Sequence, residues 1–318
     1  MSAATPLVSV VVPVYNERET LPELHRQVVE AVAKTGHRFE IVLVDDGSRD
    51  GSSAMIRELA DRDPRVVGVR LSRNFGHEAA IQAGMQESQG DAVIVMDADL
   101  QDSPAALIEF IRCWEDGADV AYAVRRDRKE GTLARVAFSG FYRVAARMMH
   151  IDLPRDAGPF SLMSRRVVDV LCAMGEHNRY FPGLRAFAGF TQVGVEVERQ
   201  ARLAGETKYS FSVRTSGAWN AITSFSKLPL RLVTVLGFVA AACSILGALF
   251  VIFGSAFASS AVPGWVSLMT VVLLVSGVQL LTLGIVGEYV GKVYDEVRNR
   301  PKFIVADRWG PPKEGSER

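Results

Sequence analysis

Asp97 and Asp99 lie one residue apart in the stretch Ala92 to Asp102, AVIVMDADLQD, and their spacing is the first sign of chemistry in the chain. On a backbone leaving a strand, residues two apart face the same side, so Asp97, Asp99 and Gln101 can present oxygens toward one point. Hard divalent cations such as Mg2+ or Mn2+ take a few carboxylates and complete their shell with water and substrate phosphates. The competing reading is that Asp99, Asp102 and Ser103 only turn the chain into a helix, because a bare D-x-D is weakly specific. Its context favours the metal. Acids also follow an apolar run at Asp45-Asp46-Gly47-Ser48, and Glu17 follows another in Pro13-Val14-Tyr15-Asn16-Glu17.

Cations form a second group. Arg125, Arg126, Arg128, Lys129, Arg135 and Arg143 accompany Ser139 among the aromatics Phe138, Phe141 and Tyr142. Such a run is either a solvated basic helix or an anion site near lipid, since arginine grips phosphate bidentately and aromatic rings suit a membrane interface. Arg199, Arg202 and Lys208 surround Gly205 and form a basic loop able to close over a diphosphate. Cys113, Cys172 and Cys243 are widely spaced and the five histidines are scattered, so neither set has metal-ligand spacing.

The elements that must position these residues alternate. Leu7–Val14, Glu40–Val44, Val66–Leu71, Ala92–Met96 and Asp119–Val124 read as strands, most of them apolar throughout, and helices are expected between them. Thr20-x-x-Glu23 reads as a capping box, and Ser103-Pro104 as an N-cap with its first helical residue. Alternation of this kind predicts an α/β fold whose parallel sheet is covered on both faces, with ligand-binding loops after the strands along one edge. The G-x-G-x-x-G fingerprint is absent from the first turn, which disfavours a nicotinamide oxidoreductase.

The chain has 318 residues, 36 basic and 36 acidic, so its formal net charge of zero gives no case for nucleic acid as a partner. No charged residue occurs between Arg231 and Glu288. Leu232–Phe253 and Val266–Gly287 are each about 20 residues long, enough as helices to span the roughly 30 Å hydrocarbon core of a bilayer. Basic residues flank this stretch on both outer sides, at Lys227 and Arg231 and at Lys292, Arg298, Arg300 and Lys302. The positive-inside rule then puts both termini in the cytoplasm and the connecting loop outside, and Met1–Pro6 lacks the features of a cleavable signal. Trp219, Ile222 and Phe225 recur at helical spacing within 211–228, as in a helix lying in the interface. The expected organisation is a catalytic domain over 1–210, an interfacial helix over 211–229, a two-helix membrane hairpin over 230–290 and a tail over 291–318.

Seven segments taken in order carry a family resemblance: VVPVYNE, VDDGS, SRNFGHEAA, MDADLQD, RLAGETKYS, AITSFSKLPLRL and GEYVGKVYDEVRNRP. They resemble the family 2 polyisoprenyl-phosphate glycosyltransferases, which include the bactoprenol glucosyltransferases and, more distantly, the dolichyl-phosphate mannose synthases. The resemblance implies a GT-A, Rossmann-like nucleotide-sugar domain, a divalent metal, self-association, and transfer of a hexose with inversion from a nucleotide diphosphate sugar to a polyisoprenyl phosphate. It assigns Pro13, Tyr15, Glu17, Asp45 and Asp46 to the nucleoside, and Asp97, Asp99 and Gln101 to the metal and donor diphosphate. Arg125, Arg135 and Ser139 match the acceptor-phosphate set, and Arg202 and Lys208 the basic loop over the diphosphate. The implied location is the cytoplasmic face of the inner membrane.

The pattern departs from the family at one place. Many bactoprenol enzymes read G-D-F-R, with the acid cast as catalytic base, where this chain has Gly158-Pro159-Phe160-Ser161; its nearest carboxylate is Asp156. A phosphate monoester loses its second proton at about pH 6, so such an acceptor needs little help from a base at neutral pH. Two other functions share features with this reading. A processive polysaccharide synthase would carry Q-x-x-R-W and more spans, neither of which is present, and a catalytically silent membrane-anchored binding protein would not need Asp97, Asp99 and Gln101 together.

Overall fold

The structure is a computed structural model that describes residues 5–125, 157–176, 179–197, 230, 233–235, 237–240, 242, 246 and 264–313. Two compact units result, Met1–Ser210 with Pro301–Arg318, and Phe211–Arg300. In the first, β1 (Leu7–Val14), α1 (Leu21–Ala33), β2 (Arg38–Asp45), α2 (Ser52–Arg62), β3 (Val66–Leu71), α3 (His77–Glu87), β4 (Ala92–Val95), α4 (Ala106–Glu115) and β5 (Val120–Arg125) alternate as the hydrophobic runs require. They are followed by β6 (Ala157–Ser164), α5 (Arg165–Ala173), α6 (Phe181–Phe187) and β7 (Gln192–Val197). After α7 (Trp265–Arg298) of the second unit, β8 (Val305–Trp309) returns to the first.

The eight strands make one sheet in the order β7-β5-β6-β4-β1-β2-β3-β8. It is mixed rather than parallel: β6 runs antiparallel to both β4 and β5, and β8 antiparallel to β3. The tail expected to stand apart thus closes a sheet edge, where Trp309 pairs with Gly68 and Asp307 with Arg70, whose guanidinium its carboxylate grips. β6 escapes a strand reading because Gly158 and Pro159 interrupt its apolar run.

Alternation along the strands sends side chains to two cores. Val8, Val10, Val12, Ile41, Leu43, Ile94, Phe160 and Leu162 face α1 and α4, where Phe110 meets Phe160 at a ring separation of 4.8 Å. Val11 and Val44 face the opposite side and receive α3. Gly84 makes this contact close: a Cβ there would lie 2.2 Å from Val11 Cγ1 and 3.1 Å from Val44 Cγ2. Two expected caps take other forms. Thr20 Oγ1 donates to the Glu17 carbonyl at 2.9 Å while Glu23 pairs with Arg26, and α4 begins at Ala106, with Ser103 Oγ only accepting from Ala105 N at 3.3 Å. The oppositely charged neighbour in the same turn takes Glu23 away from its box.

The loops that leave the carboxyl edge are laced together. Asn16, in the left-handed region at φ 55°, receives Arg49 N on its Oδ1 at 2.8 Å and gives its own N–H to Ser48 Oγ at 2.9 Å. Asp45 accepts from Ser48 N at 2.9 Å and is held by the Ser53 hydroxyl. Asp46, 3% exposed, accepts from Phe75 N at 2.7 Å and Gly76 N at 2.9 Å, so it fixes the loop after β3. Burial raises its carboxyl pKa, against the pull of those two N–H groups. Gly47, at φ 71°, packs its Cα side against the Arg73 and Asn74 backbone, leaving no room for a Cβ.

In the second unit α7 is 34 residues long and overlaps the second expected span. Most of the first, Leu232–Phe253, and all of the expected interfacial helix over 211–229 lie outside the described residues. Among the described residues no helix is long and apolar enough to cross a membrane.

Two measurements follow from this packing. Gly84→Ala forces α3 off β1 and should lower unfolding free energy by about 1–3 kcal/mol in a denaturant titration, despite alanine's better helix propensity. Asp46→Ala strips two buried N–H groups of their acceptor and should also cost about 1–3 kcal/mol, with faster amide exchange at Phe75 and Gly76.

Candidate functional site

β4 ends at Val95, and the same alternation that buries Met96 in the α1–α4 core turns Asp97 to the α3 face. Ala98 and Leu100 are buried at 4% and 3% exposure, while Asp97 and Asp99 are partly exposed between them. The chain achieves this by putting Leu100 into the left-handed region at φ 55°, a conformation that costs about 1–3 kcal/mol for a residue with a branched side chain. Asp99 Oδ1 accepts from Gln101 N at 3.1 Å, which tightens the turn.

Asp97 is less settled. Its Oδ1 is buried and has no hydrogen-bond partner among the described residues; His77 Nε2 stands 3.4 Å away, outside hydrogen-bond geometry. A buried carboxylate oxygen without a donor is expensive in the protein alone and suits a cation. Among the described residues no group of three His, Cys, Asp or Glu side chains gathers as a metal cage. Two carboxylates and an amide nonetheless fit Mg2+ or Mn2+, which leave much of their shell to water and phosphate oxygens.

Parallel pairing of β1 with β2 and β4 brings Pro13, Tyr15, Glu17, Asp45, Asp46, Asp97, Asp99 and Gln101 to one sheet edge. Tyr15 is 41% exposed there, a surface on which a nucleobase could stack. Asp45 and Asp46, which the resemblance assigns to the nucleoside, accept hydrogen bonds from the neighbouring loops and so shape the edge. Arg125 ends β5 at the same edge, next to β6. Arg135, Ser139, Asp156, Arg202 and Lys208 lie outside the described residues.

The structure adds residues that spacing does not single out. His77 and Glu78 open α3 beside Asp97, and Glu78 Oε2 accepts from Phe181 N at 3.1 Å, tying α6 to the site. Burial raises the Glu78 pKa, His77 and Arg179 oppose that rise, and the Asp97 charge adds to it. The signal for this pair was SRNFGHEAA itself, with an acid and an imidazole adjacent at a helix start. A cavity of about 1070 Å³ lined by residues including Leu7, Arg38, Arg65 and Arg165 lies where the strands begin, at the other edge, and holds none of these acids. The acids after β1, β2 and β4 lie at the carboxyl edge instead.

Comparison with known proteins agrees with this arrangement. The family described as Glycosyl transferase family 2 matches residues 9–172. The chain is 42% identical over 95% of its length, and 94% of the relative's, to the uncharacterized glycosyltransferase YkcC of Bacillus subtilis. It is 39% identical to the uncharacterized glycosyltransferase sll0501 of Synechocystis over 95% of both chains. It is 37% identical to the prophage bactoprenol glucosyl transferase homolog of Escherichia coli, over 94% of this chain and 98% of the relative. A matched domain reaching from β1 into α5 and likeness along nearly the whole chain lead to one conclusion: this protein belongs to glycosyl transferase family 2.

Proposed function

We propose that the protein moves a hexose, with UDP-glucose the first donor to test, from a nucleotide diphosphate sugar to a polyisoprenyl phosphate at the cytoplasmic face of a membrane. The observation that carries the donor half is the unpartnered buried oxygen of Asp97 at the edge where acidic strand ends meet. Likeness over 94% of this chain and 98% of a relative named for bactoprenol supports the acceptor half. The charge-free stretch between Arg231 and Glu288 supports anchorage beside a lipid substrate.

In this reading Tyr15 and the loops shaped by Asp45 and Asp46 seat the nucleoside. Asp97, Asp99 and Gln101 hold Mg2+ or Mn2+, whose charge would offset that growing on the departing diphosphate. Arg202 and Lys208 add positive charge to the same leaving group. Arg125, Arg135 and Ser139 orient the acceptor phosphate for attack on the anomeric carbon from the side opposite the diphosphate. One carbon–oxygen bond forms as the other breaks, its electron pair leaves with the nucleoside diphosphate, and the anomeric configuration inverts. A dianionic phosphate oxygen brings no proton, so Pro159 in place of an acid does not block the step.

Incubating the purified full chain with radiolabelled nucleotide sugars and polyprenyl phosphate tests the reading directly. A chloroform-soluble labelled glycolipid is expected; an insoluble polymer would instead indicate a polysaccharide synthase, and no labelled product a binding protein. Asp97→Asn and Asp99→Asn should each lower kcat by about a hundredfold or more at saturating Mn2+ while far-UV circular dichroism stays unchanged. Arg135→Ala should raise the KM for lipid phosphate by about tenfold and leave the donor KM within about twofold, because a charged hydrogen bond to the acceptor alone is lost.

A further inference from the structure

Arg185 is the largest fully buried side chain of the fold, 1% exposed, on the short helix α6. Its Nη1 lies 3.4 Å from the Gly158 carbonyl and its guanidinium sits 4.9 Å from the centre of the Tyr122 ring. Nε and Nη2 are buried with no hydrogen-bond partner among the described residues. Buried guanidinium groups are ordinarily matched by a carboxylate, because an uncompensated charge in a low-dielectric site is costly. Two tyrosines, Tyr122 and Tyr180, are the groups that favour its charge; burial brings its pKa down to about 10, which leaves it cationic at neutral pH.

Two independent features place this cation at the carboxyl edge. The β4–β6 ladder ends with Val95 paired to Ser161, two residues before Asp97 on one chain segment and two residues after Pro159 on the other. Ser161 in turn pairs with Tyr122, so the ring under Arg185 shares the face to which Asp97 turns. At the other end of α6, Phe181 is bound to Glu78, the neighbour of the His77 that reaches Asp97. Arg185 is displaced from Asp97 toward β5, whose end carries Arg125, and away from the nucleoside side at β1 and β2.

Nε and Nη2 are the two nitrogens whose N–H bonds point the same way along one side of a guanidinium, the pair that grips two oxygens of one phosphate. We infer that this side of Arg185 binds the phosphate monoester of the acceptor as it meets the anomeric carbon. The inference rests on the glycosyl-transfer reading above and adds to it a buried subsite on an ordered helix. Residue 159, next to the Gly158 carbonyl that Arg185 reaches, is a proline and supplies no carboxylate to neutralise Arg185, so the cation is left for the nucleophile. The chemistry recognised is a phosphate monoester, whether on a lipid or on a soluble molecule.

The test uses the full chain and Arg185→Met, which keeps volume and removes charge. Thermal melting is recorded alone, with UDP-glucose and Mn2+, with farnesyl phosphate, with 3-phosphoglycerate and with inorganic phosphate. Arg185→Met should melt at or above the wild type when ligand-free, because an uncompensated buried charge has gone. It should keep the donor-dependent shift, lose the phosphate-ester shift, and show an acceptor KM raised about tenfold or more beside a donor KM changed less than about twofold. Arg185→Lys, a point charge without the two-pronged edge, should fall between the two. An unchanged phosphate-ester shift in Arg185→Met overturns the subsite, as does a variant that melts well below wild type and loses both responses, which marks a structural arginine. A wild type that responds to no phosphate monoester overturns it too. If wild type responds to 3-phosphoglycerate or phosphate through Arg185 yet forms no glycolipid, the subsite stands and the lipid acceptor falls; glycolipid formed equally by both proteins has the opposite meaning.

Discussion

An oxygen of Asp97 is buried without a donor at the point where β4 leaves the sheet, and the rest of the edge is arranged around that imbalance. The strand must bury Ile94 and Met96 on one face and Val95 on the other, so the residue after Met96 has no choice of side. Leu100 then accepts a left-handed backbone to return to the core, which keeps Asp97 and Asp99 on the outer side of the same short turn. The Asp97 side chain as a whole is partly exposed, and only its Oδ1 is shut away from solvent. In the proposed function, a dication and an anionic substrate arriving together would offset that cost.

Arg185 is the complementary imbalance. A carboxylate with one buried oxygen and a buried cation occur at one edge, and among the described residues no salt bridge joins them. Reactants that are both anionic repel each other, and a site that keeps a cation for each of them lowers that barrier before either binds. The sheet supplies the separation: the loops of Tyr15, Asp45 and Asp46 after β1 and β2, acids after β4, and basic residues toward β5. Asp45 and Asp46 accept hydrogen bonds from Ser48, Phe75 and Gly76 and so hold the loops after β2 and β3 together.

Much of this was legible in the chain because hydrophobic period and acid placement coincide. The five strands from Leu7 to Arg125 announce themselves as apolar runs, each set off by turn residues, and the D-x-D spacing reports side-chain direction without further context. What was not legible depends on partners far along the chain. β6 is masked by Gly158 and Pro159, and β8 by its place in a polar tail, although its pairing with β3 is what makes the sheet mixed. Thr20 and Glu23 have the letters of a capping box, but Arg26 lies within reach and wins Glu23. Arg185 was invisible as a site residue because a lone arginine in FPGLRAF has no spacing to report; only burial exposes it.

The central claim is that Asp97 and Asp99 gather a dication onto a nucleoside diphosphate. Electron paramagnetic resonance of Mn2+ added to the full chain, with and without UDP, measures this most directly. The account predicts weak binding of Mn2+ alone, marked tightening when UDP is present, and line broadening by 17O-labelled β-phosphate that reports a direct bond to the ion. Free-ion spectra that persist with UDP at concentrations saturating for the nucleotide, or tight Mn2+ binding indifferent to UDP, would contradict it.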